Sequence, residues 1–418
     1  MPIEVDSVCF EQHRVPAPDG RSIVVWVLSR GAIDERRPAI VIGSGMGRRM
    51  DHLSPLATYL AWAGFTVYRF DPLDHVGLSD GTMTDFTMSS VLTSLNAVAD
   101  WMVEKRGVAR FGLLAMSLMA RVAVQLVAER RDVQYLITAV GVVNLRRTLE
   151  VVWGADLVAT PRDRVPAYAE FERHYIRCQA FGADGDANDW WSLEGTVAAL
   201  RRASCPIVCI ASVDDRWVDI AELREAFRRG DGGPRQILEF EESTHDIGRN
   251  AAIARLFLQR TTANAMRLSG LDPSSPPGEP SFERLTEQAL AERRIERAAI
   301  VEPPTLSPED LEQAFKMVRD PVTPAKQPSA PAIAKEGHPR HANCRFSMPT
   351  PTFSSRPISG SGTSSRNTAM SLPTPTSTKK ATICSGCATA STVKGRSTCS
   401  RRASATSGPS APHGGTVP

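Results

Sequence analysis

The sequence predicts an α/β protein in which helices cover both faces of a largely parallel sheet. Short apolar, β-branched runs alternate with helical patterns through the first 270 of the 418 residues. This alternation is typical of parallel sheets, because parallel strands need a crossover connection and the crossover is usually a helix. Hydrophobic residues make up 42% of the chain, which is enough for one large buried core.

Seven runs are predicted strands, and five segments between or after them are predicted helices. The strands cover 22–29, 38–43, 65–71, 110–116, 135–142, 206–212 and 236–240. The helices, in which apolar residues recur at three- and four-residue spacing, cover 55–63, 87–105, 118–130, 220–229 and 250–268. Together they form one predicted domain, residues 1–270.

Residues 146–204 interrupt the alternation, because they separate two predicted strands by far more chain than a crossover helix needs. We interpret this segment as a cap inserted into the domain. It is rich in aromatic residues: Trp153, Tyr168, Phe171, Tyr175, Phe181, Trp190 and Trp191. These side chains either line an acyl pocket or form the core of a small subdomain, and the two interpretations are compatible.

The composition changes after residue 270. Residues 271–302 contain a Pro-rich linker and then a charged amphipathic helix at 281–297. Residues 303–418 form a low-complexity tail that is rich in Ser, Thr, Pro, Ala and Arg. We predict that the tail is disordered, because it has too little apolar surface to offset the entropy lost on ordering.

The charge distribution excludes some classes of function. The whole chain has a net charge of +3, but residues 337–418 hold ten Lys or Arg and no Asp or Glu, so residues 1–336 carry −7. An acidic body argues against nucleic-acid binding by the folded part. No stretch approaches the roughly 18 apolar residues of a membrane span, and the N-terminus lacks the apolar region of a signal peptide. We therefore expect a cytoplasmic protein with scattered free cysteines, no membrane span, no cofactor and no metal.

Ser117 is the first candidate catalytic residue. It breaks the run R-F-G-L-L-A-M-S-L-M-A-R-V-A-V-Q-L-V (110–127), in which a strand ends at one serine and a helix begins. A sharp turn between strand and helix lifts a serine hydroxyl clear of the sheet, and the following N–H lies at the positive end of the helix. The alternative is that Ser117 only caps the helix, since serine is a preferred N-cap residue.

An acid and a base follow in the order that a serine hydrolase requires. The strand at 206–212 leads to Asp214 and Asp215, and the strand at 236–240 leads to His245. A serine hydroxyl needs an imidazole to take its proton and a carboxylate to hold that imidazole, so Ser117, His245 and Asp215 fit these roles. Alternatively, the aspartates cap the helix that starts near residue 219, and His245 only bonds a loop. The order of the three residues predicts an α/β-hydrolase fold.

An oxyanion hole requires two convergent N–H donors. The first candidate is the N–H of Leu118, and the second is the N–H of Met46 in the loop S-G-M-G-R-R-M-D-H (44–52). Glycines at 45 and 47 let the backbone of this loop approach a substrate carbonyl. The turn F-D-P-L-D-H-V-G-L-S-D (70–80) also fits this fold.

Four stretches resemble one family in particular. They are S-G-M-G-R-R-M-D-H-L-S-P-L-A-T-Y-L (44–60), R-F-D-P-L-D-H-V-G-L-S (69–79), L-I-T-A-V-G-V-V-N-L-R-R-T-L-E (136–150) and S-T-H-D-I-G-R-N (243–250). They resemble the acyl transferases of bacterial luminescence operons, thioesterases that release a long fatty acid from acyl carrier protein for reduction to the luciferase aldehyde. The resemblance extends to about residue 300.

The resemblance implies a function and its residues. It implies Ser117 as nucleophile, Asp215 as acid and His245 as base, acting on a long-chain (myristoyl-type) thioester of acyl carrier protein or coenzyme A. Fatty acid reductase or synthetase subunits are implied partners. Two alternatives remain open at this point, a general esterase of small substrates and a catalytically silent scaffold that binds such partners.

Two features depart from the family. The family's elbow resembles A-x-S-x-S, whereas here Met119 stands two residues after Ser117, where it could press on a neighbouring strand or narrow the acyl channel. The tail has no counterpart in the family. The tail contains H-P-R-H-A-N-C (338–344) and C-S-G-C (384–387), which have residue types that bind zinc, but the two stretches are far apart and we expect no zinc site. The tail is interpreted instead as a basic docking arm or as an unselected extension.

Overall fold

A mostly parallel sheet of eight strands is the centre of the protein, whose computed structural model describes residues 8–274, 278–297 and 305–318. Two further strands, β7 and β8, form a separate pair. In chain order the strands are β1 (Val8–Pro16), β2 (Ser22–Arg30), β3 (Ala39–Gly43), β4 (Thr66–Phe70), β5 (Phe111–Met116), β6 (Val133–Ala139), β7 (Tyr168–Phe171), β8 (His174–Arg177), β9 (Ile207–Ser212) and β10 (Arg235–Phe240). The order in the sheet is β1-β2-β4-β3-β5-β6-β9-β10.

The sheet direction agrees with the sequence prediction. All neighbouring pairs from β4 to β10 are parallel, and β2 runs antiparallel to both β1 and β4. All seven predicted strands are present. The first strand was not predicted, because β1 carries the polar stretch E-Q-H-R and is only partly buried.

Helices cover both faces of the sheet. In chain order they are α1 (Ser54–Trp62), α2 (Met88–Arg106), α3 (Leu118–Glu129), α4 (Leu145–Trp153), α5 (Cys178–Asn188), α6 (Leu193–Arg202), α7 (Ile220–Arg229), α8 (Ala251–Leu268), α9 (Phe282–Arg297) and α10 (Pro308–Gln313). The predicted helices, including the one at 281–297, are present within one residue of their expected bounds, and the cap and residues 305–318 add α4, α5, α6 and α10. Within the described ranges no helix is both long and apolar enough to cross a membrane.

Alternating side chains of the strands feed two cores. In β3, Val41 joins the core under α2 and α3, whereas its neighbours Ile40 and Ile42 join the core under α1 and α8. This division follows from the two-residue period of a strand, since successive side chains point to opposite faces. Both faces of β3 are therefore buried, which explains why its run is apolar throughout.

The predicted cap lies between β6 and β9 and contains α4, β7, β8, α5 and α6. Its aromatic residues pack on one another: the Phe181 ring lies 6.4 Å from the Trp153 ring and 5.4 Å from the Trp191 ring, both edge-on. They belong to the large core that also contains side chains of α2 and α3, while Phe171 lines the main cavity as well. That this cavity takes an acyl chain stays a prediction.

A buried ion pair fixes α9 to the sheet. Arg69 of β4 is fully buried and donates two hydrogen bonds to the carboxylate of Glu292, at 2.8 and 2.6 Å. The same guanidinium lies over the Trp26 ring and donates to the carbonyl of Met50. The short helix at Met50–Leu53, which precedes α1, is thus bonded to the same side chain that holds α9.

The expectation of a disordered tail from residue 303 is wrong for residues 305–318. This segment contains α10 and a bridge to β7, because Ser307 supplies the helix N-cap and the Phe315 ring stacks on Trp153. Residues 319–418, including the cysteines and histidines of the tail, lie outside the described residues.

Glu292→Gln should destabilise the fold by about 3–5 kcal/mol, because the buried guanidinium of Arg69 would lose its counter-charge. The free energy of unfolding in urea measures this loss. The control is Glu225→Gln, since Glu225 pairs with Arg228 on an exposed helix surface, and its urea midpoint should barely change. Equal shifts in the two variants would contradict this account of α9.

Candidate active site

Ser117 occupies a strained turn between β5 and α3. Its backbone has φ 51° and ψ −122°, a positive-φ conformation that a serine rarely adopts. Two hydrogen bonds to the chain around the end of β6 hold it there: Ser117 N–H donates to the carbonyl of Ala139 (2.9 Å), and the Ser117 carbonyl accepts from Val142 N–H (3.1 Å). Strain of this kind costs about 1–3 kcal/mol and persists only where the surroundings impose it.

The hydroxyl of Ser117 does not cap the helix. Ser117 stands at the N-cap position of α3, but its side chain makes no capping hydrogen bond. Its Oγ lies 2.8 Å from Nε2 of His245 instead. The interpretation of Ser117 as a simple N-cap is therefore wrong, since the turn directs the hydroxyl away from the helix.

His245 connects Ser117 to Asp215. Its Nδ1 lies 2.8 Å from Oδ2 of Asp215, whose side chain is only 2% exposed. A carboxylate can only accept, so the proton of the neutral imidazole lies on Nδ1 and Nε2 accepts from the Ser117 hydroxyl. The structure thus brings together the three residues that the sequence predicts, as one hydrogen-bonded chain.

The two adjacent aspartates are distinguished by their contacts. Asp215 uses its other oxygen, Oδ1, to accept the N–H groups of Trp217 and Val218, which fixes the carboxylate in the loop after β9. Asp214 is exposed at the cavity rim, and Asp219 caps α7. The alternative in which Asp214 or Asp215 caps this helix is therefore wrong.

Ring contacts connect the cap to His245 through Trp217, which lies in the loop after β9. The Trp217 ring lies 4.5 Å from the His245 ring, and Phe171 at the end of β7 packs edge-on against Trp217 at 5.8 Å. Glu172 and Arg173 form the two-residue turn of the β7–β8 hairpin, both with positive φ, and Glu172 accepts a hydrogen bond from Arg48 (2.7 Å). The hairpin tip thus contacts the 44–52 loop.

The 44–52 loop lies directly against Ser117. A side chain at position 45 would place its Cβ 3.0 Å from the Cβ of Ser117, so the close approach favours glycine there. Gly47 N–H donates to Nε2 of the buried His75 at 3.1 Å. Burial lowers the pKa of His75 to about 4, so the ring is neutral at pH 7 and can accept this bond.

The predicted oxyanion donors both lie beside Ser117. Leu118 is the first residue of α3, and the first N–H groups of a helix have no intrahelical acceptor. Met46 stands in the chain between Gly45 and Gly47, whose N–H is held by His75. Met46 lines the cavity, and its side chain is buried. Their role as donors stays a prediction.

Met119 does not intrude on the main cavity. It is 3% exposed and packs on Gly43 of β3, where a Cβ would lie 2.6 Å from Met119 Cγ. The methionine two residues after Ser117 therefore fills space that the missing side chain of Gly43 leaves. It contacts the neighbouring strand, as expected, without narrowing the cavity that contains Ser117.

The cavity has a volume of about 760 Å³ and contains both Ser117 and His245. Apolar side chains of α1, the turn before it and α8 line one part of it: Leu53, Pro55, Leu56, Phe257 and Leu258. Such a site can activate a serine for attack on a carbonyl and bury an apolar chain. Among the described residues no cluster of His, Cys, Asp or Glu could hold a metal ion.

Sequence reasoning missed four residues of this site. Trp217 follows the predicted acid by two residues, and His75 lies in the 70–80 turn, so their positions gave a usable signal. Glu172 and Met317 gave none, because Glu-Arg is not a typical hairpin turn and Met317 lies in a segment predicted to be disordered.

The family comparison matches most of the chain. The model of the acyl transferase family matches residues 11–300. The acyl transferase of Aliivibrio fischeri strain MJ11 is 38% identical over 286 residues, which are 68% of this chain and 92% of the relative. The acyl transferase of Photorhabdus luminescens is also 38% identical, with the same coverage.

A solved structure supports the fold. The chain is similar to Est1E from Butyrivibrio proteoclasticus with bound ferulic acid, at a TM-score of 0.52 and 14% identity, over 61% of this chain and 99% of that one. At this identity the likeness supports the α/β-hydrolase fold and nothing further.

His75→Phe should lower the free energy of unfolding by about 1–3 kcal/mol at pH 7, because the phenyl ring has no acceptor and leaves the buried Gly47 N–H without a partner. Between pH 6.5 and about 4 the unfolded wild-type chain binds a proton that folded His75 refuses, so this residue's contribution falls on acidification. Urea unfolding at pH 7 and pH 4.5 should therefore show a smaller difference at the lower pH. A pH-independent difference would contradict this assignment.

Proposed function

The chain belongs to the acyl transferase family, and from that premise we propose that it cleaves long-chain acyl thioesters through an acyl intermediate on Ser117. One observation carries the proposal: Ser117, His245 and Asp215 form a continuous hydrogen-bonded chain that opens on a largely apolar cavity. This combination supplies an activated nucleophile and a place for an acyl chain.

In the first step the Oγ of Ser117 attacks the thioester carbonyl. His245 Nε2 takes the hydroxyl proton, which makes the ring an imidazolium. Asp215 stabilises this imidazolium by accepting the hydrogen bond from Nδ1. When the tetrahedral intermediate collapses, the C–S bond breaks and His245 returns the proton to the leaving thiolate. The products are a free thiol and an ester between the acyl group and Ser117.

In the second step water, or another acceptor hydroxyl or thiol, attacks the acyl ester. His245 takes the proton of the attacking group and then gives it to Ser117 Oγ as the C–O bond to serine breaks. With water the product is a free fatty acid. The acceptor decides between hydrolase and transferase chemistry, and the same three residues serve both.

The N–H groups of Leu118 and Met46 are the proposed oxyanion donors. Each such donor typically lowers the barrier by about 3 kcal/mol, because the donors are already oriented where charge develops. The anchoring of Gly47 by His75 supports the assignment, since it fixes the loop that carries Met46.

The substrate proposed here is a myristoyl-type thioester of acyl carrier protein or coenzyme A. A cavity of about 760 Å³ with Leu53, Leu56 and Phe257 in its wall favours a long acyl chain over a small ester. The proposed product is a fatty acid that a reductase then converts to the aldehyde used in bacterial luminescence, with reductase or synthetase subunits as partners. The resemblance of the 44–60 and 243–250 stretches supports this role.

Asp215→Asn should lower kcat by about a thousandfold to ten-thousandfold, because an amide can present its N–H to Nδ1 and stabilise the wrong tautomer of His245. Steady-state hydrolysis of tetradecanoyl-coenzyme A measures the loss. Asp214→Asn is the matched control. The carboxylate of Asp214 lies outside the hydrogen-bonded chain, so kcat of this variant should stay near wild type. A large loss in both variants, or in neither, would be inconsistent with this assignment.

The rate should rise with acyl length until the apolar part of the cavity is filled. Each buried methylene contributes about 0.8 kcal/mol, so kcat/KM should increase about fourfold per carbon over that range. Hydrolysis of straight-chain acyl-coenzyme A substrates from four to sixteen carbons tests this expectation. A maximum at the shortest chains would favour the small-substrate esterase instead.

A further inference from the structure

A segment that follows the family match belongs to the cap. Residues 305–318, named the strap here, lie beyond residue 300, where the match to the family ends. Ser307 begins the strap's helix by accepting the N–H of Asp310 (3.1 Å). The strap then runs along the free edge of β7, whose other edge pairs with β8.

Backbone and ring contacts fix the strap on the cap. Phe315 N–H donates to the carbonyl of Tyr168 (3.0 Å), and the Phe315 carbonyl accepts from Glu170 N–H (2.7 Å). The Phe315 ring stacks on Trp153 at 6.3 Å with only 20° between the planes. Val318 N–H donates to the carbonyl of Val152 at 2.7 Å. A strand bridge with these anchors is a built part of the fold.

This pairing sets the direction of each side chain. Successive residues of an extended segment point to opposite sides. Phe315 and Met317 both pack on the main core, whereas Lys316 is exposed and lies over the Tyr175 ring. Met317 is half-buried and lines the cavity that contains Ser117, His245, Phe171 and Trp217.

We propose that Met317 is a specificity-determining residue, which limits the acyl chains that reach Ser117. The proposal rests on the proposed function, because it assigns part of the acyl site. A flexible thioether in an apolar wall contacts the methylenes of a bound chain, and a change of one or two carbons in such a wall typically changes discrimination about tenfold or more.

The experiment measures covalent labelling of Ser117 by straight-chain alkyl fluorophosphonates of four, eight and fourteen carbons. The reagent forms a P–O bond with Ser117 Oγ and releases fluoride, while His245 accepts the hydroxyl proton. This readout needs the nucleophile and its cavity, but no thioester turnover. Second-order labelling rates are compared for wild type, Met317→Ala, Met317→Trp and the control Lys316→Ala, each checked for an unchanged melting temperature.

Met317→Trp should lower the ratio of the fourteen-carbon to the four-carbon labelling rate by about tenfold, because the larger side chain fills part of the cavity that a long chain would occupy. Met317→Ala should change the ratio in the opposite direction, and Lys316→Ala should leave it unchanged. An unchanged ratio in both Met317 variants, or no labelling of wild type at any length, overturns the proposal. Turnover of tetradecanoyl-coenzyme A by the same wild-type preparation reports separately on the proposed function.

Discussion

The strained backbone at Ser117 is the constraint on which the rest of the site depends. A serine at φ 51° forfeits about 1–3 kcal/mol, and the hydrogen bonds to Ala139 and Val142 at the end of β6 offset that cost. Because the turn lifts the hydroxyl off the α3 axis, Oγ meets Nε2 of His245 and makes no capping bond to the helix. A relaxed N-cap serine would bond its own helix and lose the imidazole.

The surroundings of the turn are arranged around the same geometry. Gly45 lets the 44–52 loop approach Ser117, and the neutral ring of His75 holds that loop through Gly47. Met119, two residues after Ser117, occupies the space over Gly43. The missing side chain of Gly43 on the next strand makes room for it, and the hydrogen-bonded chain through Ser117 is intact.

The sequence predicts the sheet and its helices, because buried strands and amphipathic helices carry strong local periodicity. It predicts Ser117, Asp215 and His245 because each follows a predicted strand, in the order that a serine hydrolase requires. It does not predict β1, because the polar residues of this partly buried strand obscure its pattern. It does not predict the β7–β8 hairpin either, because the Glu172-Arg173 turn lacks the usual asparagine or glycine. The strap escaped prediction for another reason: it lies in a segment that was assigned to the tail by composition. Tertiary contacts order it, namely the backbone bonds of Phe315 and Val318 and the stacking of Phe315 on Trp153.

The most direct test of the account is intact-mass spectrometry of the purified chain after brief exposure to a tetradecanoyl thioester, with Ser117→Ala in parallel. The account predicts a mass gain of one tetradecanoyl group on wild type and no gain on the variant. After digestion, the added mass should be found only on the peptide that contains Ser117. Thioester loss at the wild-type rate in Ser117→Ala, or an equal adduct on that variant, would contradict the acyl-serine mechanism.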